Sequence, residues 1–506
     1  MADTNDDKSE KSQPSPELGE SSDNNNGKDE TKHVEDVEDR QTSDYYESPE
    51  FKAREARVIR KMDFYIAPLM GSLNFISYLD RSNIGFAATQ GMVDDLNLQE
   101  SDLNVGVSIF YVLYILSEFP ISMYAKKWRF ERVLPSLTIA FGIITLGSGW
   151  VNTYGGLVGT RLILGLFEGC LFPALALFVA NWYKREELAV RMAFLFGSTA
   201  LSGAFGGLLA YAIYHMDGAA GIAGWRWIYI IEGIITIVYG FICFILVPSS
   251  YEKAHFLNED DKEVMRYREK LMHHYNGGAG EFTLQDIIVA AKDVKTWIHS
   301  ALQFCVITPL YGFNNFLPII LQDGLGYGTL STQYLTIPVQ LWGFVFYCVI
   351  VWLSDRYRKR YLFEIIFTPI TALGYVLLLC PIPAGAHYFA TYLITTGCYI
   401  IAGNNLAWTS ANASPAAKRA ATLGIVLTWT DVSGLVIGQL YRSEWAPRYW
   451  VGNGWTAGVL VVACGLFSWV TVIYRRRNEG KTRRIEGGER EEDDRTDRGV
   501  GFVYQW

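Results

Sequence analysis

The sequence lacks the short motifs by which many large proteins bind ATP or catalyse hydrolysis. None of GxxxxGK[ST], HExxH and GxSxG occurs in its 506 residues. The first motif would cradle phosphates, the second would bind zinc and the third would present a nucleophilic serine. We therefore expect a protein that is not an enzyme, that needs no cofactor and that draws no energy from ATP.

Paired cysteines and clustered histidines are also missing. The chain has seven cysteines, none in a CxxC arrangement, and its seven histidines show no metal-ligand spacing. All the cysteines fall in apolar runs, where a free cysteine behaves as a small buried hydrophobic side chain. The pattern favours neither a disulfide framework nor a metal site.

Charge is scarce and unevenly placed. Charged residues make up 19% of the chain, whereas hydrophobic residues make up 50% and aromatic residues 14%. The first 50 residues hold 16 Asp/Glu and 5 Lys/Arg, a net of −11, so the remainder carries +3 of the total of −8. Such a polar, acidic segment cannot bury a core, and it lacks the basic start and apolar centre of a signal peptide. We predict that residues 1–58 form a disordered acidic tail.

The remaining chain contains long apolar runs. A membrane-spanning helix needs about 20 mostly apolar residues. The runs predict an all-α polytopic membrane protein with twelve spans, six in each of two halves, 59–248 and 296–476. A charged linker, 249–295, separates the halves, and a second polar tail covers 477–506. The predicted spans are 63–88, 104–124, 133–151, 155–181, 191–214, 225–248, 296–320, 332–353, 361–380, 386–411, 421–441 and 455–475.

Basic residues cluster in alternate loops, which predicts the orientation. Cytoplasmic loops of membrane proteins carry an excess of Lys and Arg. Here the basic loops follow the second, fourth, sixth, eighth, tenth and twelfth predicted spans, with one exception near "RSEWAPRYW". This bias predicts that both termini are cytoplasmic.

Several stretches together resemble the Major Facilitator Superfamily. The similarity is greatest to its anion:cation symporter family, in the fungal branch of allantoate and vitamin permeases. The stretches are "YLDRSNIGFAATQGMVDDLNL", "RLILGLFEGCLFPALALFVANWYKREELAVRMA", "GWRWIYIIEG", "DVKTW", "LTIPVQ…SDRYRKR" and "SANASPAAKRA". The resemblance implies two six-helix halves that alternately expose a central site.

The resemblance also implies substrates and partners. Fungal members of the branch carry nutrients such as nicotinate, pantothenate, biotin and allantoate, and relatives outside fungi carry sugar acids and other organic anions, generally with protons. We expect a monomer in the plasma membrane whose partners are a small organic anion, protons and the lipid bilayer, with no nucleic acid. A sensor that keeps the carrier fold, and an anion exporter or exchanger, remain open as alternatives.

Charged residues inside two predicted spans suggest the site. Asp80 and Arg81 are adjacent in the first span, and Arg161 and Glu168 lie seven residues, or about 10 Å, apart on the fourth. Charge that faces lipid is costly, so these groups should face the interior. A guanidinium matches a carboxylate, and a buried carboxyl group can carry a proton.

The resemblance assigns roles to these four residues. Asp80 and Glu168 would be the proton-coupling groups, and Arg161 would be the main anion clamp. Arg81 would be a second clamp or a gating partner. The alternative is that the four groups form fixed ion pairs that only brace the helices.

Other residues are weaker candidates. Polar and aromatic side chains within apolar runs could line the cavity, or they could simply pack in the core. In the first half they are Tyr111, Tyr114, Asn74 and Tyr78. In the second half they are Asn404, Trp408 and Asn412, together with Asn314, Asn315 and Asn405.

A third group suggests gating or structural roles. Asp355, Arg356 and Arg358 lie in the loop motif "SDRYRKR", which resembles the cytoplasmic lock of the superfamily. Glu118, Arg226 and Glu232 are the other members of this group. Asp431, an acid in the eleventh span, could be a second coupling group or could lie near an interface.

Overall fold

The chain divides into two units, Met1–Arg60 and Lys61–Trp506. The computed structural model describes residues 48–99, 101–124, 129–184, 187–275, 284–357, 359–487, 497, 499 and 502–505. The predicted acidic tail therefore lies outside the described residues as far as residue 47. Of the first unit, residues 48–60 are described, and they are helical from Pro49 onward.

All regular structure in the described residues is helical, which confirms the all-α prediction. The principal helices are α1 Pro49–Ala87, α2 Asp102–Tyr124, α3 Phe130–Ser148, α4 Tyr154–Glu168, α5 Leu171–Trp182, α6 Leu188–Tyr214, α7 Gly224–Leu246, α8 Glu259–Tyr275, α9 Leu284–Ala291, α10 Val294–Ile319, α11 Thr329–Tyr357, α12 Arg360–Leu379, α13 Ala384–Ala411, α14 Ala416–Gly438 and α15 Trp450–Glu486. A short π-helical turn, Ile320–Gly324, extends α10, whereas the segment Ala88–Met92 after α1 is kinked at Gln90 and Gly91, where Gly91 has a φ of 93°.

Twelve of the helical segments are long enough to cross a membrane when α4 and α5 count as one. Nine segments in the described part of the chain are also apolar enough to span by composition. The other three, α1, α2 and α13, bury polar side chains such as Asp80, Glu118 and Asn404. Polar groups at membrane depth are tolerated where they face the interior of a bundle. The two short helices α8 and α9 lie in the predicted linker.

The fourth span is broken between α4 and α5, which the sequence analysis treated as one helix. A Cβ on Gly169 would lie 2.4 Å from Ser117 Oγ and 2.5 Å from the carbonyl oxygen of Tyr114, so α2 passes very close here. Pro173, in the first turn of α5, has no N–H to donate and is compatible with a helix start. Close packing and proline together place the break directly after Glu168.

The two halves meet along two helix pairs, α2 with α14 and α6 with α11. Glycines allow the close approach that such pairs require in membranes. Tyr111 on α2 packs against Gly434 on α14, and Gln340 on α11 packs against Gly203 on α6.

Hydrogen bonds join the halves at the end of the bundle where α1 and α14 terminate, which we call the far end. Asn104 Nδ2 donates to the carbonyl oxygens of Gly438 at 2.6 Å and Tyr441 at 3.0 Å. Gln333 Nε2 donates to Thr89 Oγ1 at 2.9 Å. The halves are therefore held together at the far end. The opposite end, where α7 terminates and α10 begins, is called the linker end.

Candidate substrate and proton site

A small central cavity lies between the two halves. Helices α1, α2, α6 and α10 contribute its walls. The lining residues are Tyr78, Arg81, Ser82, Tyr111, Ser202, Gly203, Tyr311, Asn314 and Asn315. An adjoining space is bordered by both Arg81 and Arg161. Two of the predicted anion-binding arginines thus meet in one region.

Arg81 combines an ion pair with an unused donor. Its Nε and Nη2 donate to Glu168 Oε2 at 3.4 and 3.3 Å, and Ser77 Oγ donates to the same oxygen at 3.2 Å. Arg81 Nη1 is buried and has no hydrogen-bond partner among the described residues. Because a guanidinium donates in a planar fork, this free edge suits an incoming carboxylate.

Three aromatic rings surround the Arg81 guanidinium. Its central carbon lies 4.4 Å from the ring centre of Tyr78, 4.7 Å from that of Tyr114 and 5.0 Å from that of Phe110. Ring faces attract a cation and fix its position. The nearby Tyr111 hydroxyl is buried and also has no hydrogen-bond partner in the described part of the chain.

Asp80 is fully buried but is bound differently from Glu168. Its Oδ2 accepts hydrogen bonds from Thr145 Oγ1 on α3 and Thr236 Oγ1 on α7, both at 3.2 Å. No described Lys or Arg forms an ion pair with Asp80, whereas Glu168 is paired with Arg81. A hydroxyl can donate or accept, so two threonines can satisfy this carboxyl group with or without a proton.

Arg161 is held by neutral groups. Its Nη2 donates to Asn83 Oδ1 at 2.8 Å and to the Tyr229 hydroxyl at 2.9 Å. The four charged residues predicted from the sequence therefore lie together, but Arg81 and Glu168 form the ion pair. Thr145, Thr236, Asn83 and Tyr229 were not identified from the sequence. Their only signal was a polar side chain within an apolar run.

Some of the aromatic and amide candidates lie at the cavity, and the others lie elsewhere. Tyr78, Tyr111, Asn314 and Asn315 line the cavity, and Tyr114 packs on Arg81. The Tyr111 and Tyr311 rings approach across the halves, with centres 5.4 Å apart.

Asn74 lies away from the cavity lining. Its Nδ2 donates to the Leu195 carbonyl oxygen and to Ser198 Oγ, both at 2.9 Å, so it joins α1 to α6. Asn404 also bonds elsewhere, to Glu364 Oε1 at 3.0 Å and to Ser354 Oγ at 2.9 Å. Both amides are satisfied by neighbouring helices.

Trp408 and Asn412 contact the end of the chain instead of the cavity. We call the described residues 497, 499 and 502–505 the C-terminal strap. Trp408 Nε1 donates to the Gln505 carbonyl oxygen at 2.8 Å, and Asn412 Oδ1 accepts from the Gln505 N–H at 2.8 Å. Both side chains therefore hold backbone groups of the strap.

Ion pairs and a ring stack hold the rest of the strap at the linker end. Asp497 pairs with Lys418 at 2.9 Å and with Lys295, and Lys418 also pairs with Asp293 at 2.6 Å. The Tyr504 ring stacks on Tyr474, with centres 5.0 Å apart and planes 6° apart. No sequence pattern predicted that the C-terminal strap binds to the linker end.

The predicted gating residues occupy several places. Arg226 Nη1 donates to the carbonyl oxygens of Gly149 at 3.1 Å and Val151 at 2.8 Å, near the far end. Glu232 is buried on α7, and Glu118 is buried on α2. Arg356 is exposed at the end of α11. The Asp355 side chain and Arg358 lie outside the part of the chain that is described, so the predicted lock stays a prediction.

The geometry and helix order define a membrane transporter of two six-helix halves. The chain resembles solved structures of this fold. A proton:xylose symporter superimposes with a TM-score of 0.62 at 16% identity over 80% of this chain and 94% of that one. An inward-facing bacterial homologue of the human lysosomal transporter Spinster gives 0.60 at 15% identity, over 79% and 95%. At these identities the likeness shows the fold alone.

Similarity of sequence identifies the family, which similarity of fold does not. The pattern of the Major Facilitator Superfamily covers residues 70–438, and the chain belongs to this family. An uncharacterized transporter of Schizosaccharomyces pombe is 42% identical over 85% of each chain. The high-affinity nicotinic acid transporter of Saccharomyces cerevisiae is 35% identical over 84% of this chain and 79% of that protein. The chain is thus an integral membrane transporter, as the resemblance predicted, and its relatives are transporters and not enzymes.

Proposed function

We propose that this transporter is a proton-coupled symporter of a small monocarboxylate. The observation that supports this most is the free, buried edge of Arg81 in the central cavity, beside the unpartnered Tyr111 hydroxyl. A cationic fork and a hydroxyl provide two donors for one carboxylate. Asp80 and Glu168, both fully buried on the adjacent helices, would be the proton-coupling groups.

The residues that line the cavity favour a planar aromatic acid as the substrate. The rings of Tyr78, Tyr111 and Tyr311 border it, and the Asn314 and Asn315 amides add polar groups on the side of the second half. Offset or edge-to-face contacts with these rings would favour a flat substrate. Because a relative at 35% identity is named as a nicotinic acid transporter, nicotinate is the first substrate to test. Pantothenate, biotin and allantoate follow it.

Proton and anion would then act together. The substrate carboxylate would take the free edge of Arg81, with Arg161 bordering the adjoining space as a second cation. Protonation of the carboxyl groups would offset the charge and let the halves rock about the site. The proposal includes cytoplasmic termini, a monomer and the plasma membrane.

Uptake of labelled acids tests the proposal. Cells without their own carriers would be assayed at about pH 5 and about pH 7.5, with and without a protonophore, because the coupling groups are carboxyl groups. We expect accumulation of nicotinate that is stronger at the lower pH and abolished by the protonophore. Saturable binding without accumulation would indicate a sensor, and accumulation independent of the proton gradient would indicate exchange.

Asp80→Asn tests the coupling group directly. The amide keeps the shape of the carboxyl group and removes its proton, so pH-dependent accumulation should be lost at normal surface expression. Asp323→Asn is the control, since Asp323 lies at the end of α10 and accepts a bond from the Tyr449 hydroxyl. A wild-type pH response in Asp80→Asn would exclude Asp80 as a proton carrier.

A further inference from the structure

Each half contributes one buried carboxyl group to the interface between the halves, apart from the proton site proposed above. Glu118 on α2 is 6% exposed and Asp431 on α14 is 4% exposed. Helices α2 and α14 form one of the two helix pairs that join the halves. Burial of two acids at this contact costs free energy unless each finds a partner.

The register of the two helices brings these acids together. Ser108 lies against Gly438 and Tyr111 against Gly434, so α2 and α14 run antiparallel. If the same register continues, Asp431 lies opposite a position on α2 that is about one helical turn before Glu118. Side chains lean toward the N-terminus of their own helix, and in an antiparallel pair these two therefore lean toward each other. The two buried carboxyl groups therefore face each other across the contact between α2 and α14.

A hydrogen bond between two carboxyl groups requires a proton. An ionised carboxylate only accepts, so one member of the pair must be protonated for either to donate. Such a proton belongs to the pair and not to one residue. In a bond of this kind between Glu118 and Asp431, the two halves would share one proton.

The pair is also connected to the substrate cavity. The Tyr311 hydroxyl on α10 donates to Asp431 Oδ1 at 3.2 Å, and Tyr311 lines the cavity. Among the described residues, the charged and titratable groups that act on the pair include Arg81 and Tyr78 from α1, Tyr111 and Tyr114 from α2, and Tyr311 from α10. No described Lys or Arg forms an ion pair with Asp431.

We infer that Glu118 and Asp431 form a second proton site, shared between the halves, that latches α2 to α14 while it is protonated. Transfer of the proton to water leaves two carboxylates facing each other across a buried interface, and their repulsion favours separation of the halves. The step moves one proton and needs no other reactant. This inference rests on the proposed function and adds residues that couple the proton to the conformational change.

Glu118→Gln and Asp431→Asn test the latch. In either variant an amide can donate to the remaining carboxylate, so the bond persists without a titrating proton. We expect slower uptake with a flattened pH profile, and unchanged binding of nicotinate measured by thermal shift on the purified protein. Glu364→Gln is the matched control because Glu364 is equally buried but lies on α12, within one half.

The double variant and a rescue variant make the test specific. If the pair acts as one unit, Glu118→Gln with Asp431→Asn should cause no further loss beyond either single change. Exchanging the two acids, Glu118→Asp with Asp431→Glu, keeps both carboxyl groups and should restore the pH dependence. Should a single variant not reach the membrane, the double variant, in which two amides can still bond, takes its place under the same criterion.

A wild-type pH profile in Glu118→Gln or in the double variant, at normal surface expression, would overturn the inference. An independent readout separates it from the proposed function. Infrared spectroscopy of the purified wild-type protein should show a protonated-carboxyl band that Glu118→Gln and Asp431→Asn each remove. If wild-type uptake shows no proton coupling but this band is present, the proposed function fails and the shared proton remains. Absence of any difference in that band excludes the shared proton.

Discussion

Gly165 offers the sharpest test of how the site is packed. It lies on α4 between Arg161 and Glu168, and a Cβ placed on it would stand 2.0 Å from the carbonyl oxygen of Phe110 on α2. Non-bonded carbon atoms rest about 3.5 Å from their neighbours, so Gly165→Ala must separate the two helices by more than about 1 Å. The obstacle is backbone, which cannot move aside as a side chain would.

Gly159→Ala on the same helix is the matched control, since nothing lies within 4 Å of its Cβ position. An interior Gly→Ala change favours a helix by about 0.8–1 kcal/mol. Overpacking costs about 1–3 kcal/mol, which at Gly165 opposes that gain. We therefore expect Gly159→Ala to be neutral or stabilising and Gly165→Ala to be destabilising, with slower uptake because Arg161 and Glu168 shift relative to Arg81. Thermal unfolding in detergent and uptake at matched surface expression measure both. Equal stability and activity of the two variants would refute the close approach of α2 and α4.

Three further variants test other parts of the structure. Arg81→Lys keeps the positive charge but loses the planar guanidinium, which binds Glu168 and still has one donor nitrogen free. We therefore expect uptake efficiency to fall about tenfold, which corresponds to about 1.4 kcal/mol, at unchanged expression. Asp293→Asn should lower the free energy of unfolding by about 1.5–3 kcal/mol. Burial raises the pKa of Asp293, but the hydrogen bond from Lys418 and the charge of Lys295 outweigh it, so its pKa is lowered. The stabilisation that Asp293 gives to the folded state is therefore constant above a pH of about 4 and is lost as the pH falls through its lowered pKa. Unfolding measured at several pH values tests this dependence. Trp408→Phe removes the hydrogen bond to Gln505 and should lower the free energy of unfolding by about 1 kcal/mol without changing the KM for nicotinate. A changed KM would indicate that Trp408 belongs to the substrate site.

The order and class of the helices could be predicted from the sequence because bilayer thickness fixes the length of an apolar run. The close approach of α2 to Gly169 could not, since it is a contact between helices that are far apart in sequence. The helix ends also differ from the predicted spans. Hydrophobicity reports which residues suit lipid, whereas α1 and α15 continue beyond the apolar runs as Pro49–Ala87 and Trp450–Glu486.

The charged part of the site was also predictable, because Arg and Glu at membrane depth are costly and must face the interior. Their pairing was not, since whether Glu168 on α4 meets Arg81 on α1 depends on how the two helices are rotated about their axes. Buried amides gave the least reliable signal. Asn412 and Asn315 look alike in the sequence, yet one bonds to Gln505 and the other lines the cavity. A buried amide needs a partner, but the sequence does not indicate whether that partner is protein or ligand.

The C-terminal strap has a practical consequence for producing and labelling the protein. A fluorescent or affinity tag fused after residue 506 would follow almost directly on Gln505, whose backbone N–H and carbonyl oxygen are both bound by side chains of the second half. Tyr504 beside it is 2% exposed. A fusion at that position would disturb a segment that is bound to the second half. A measured loss of transport would then reflect the effect of the tag and not a property of the transporter.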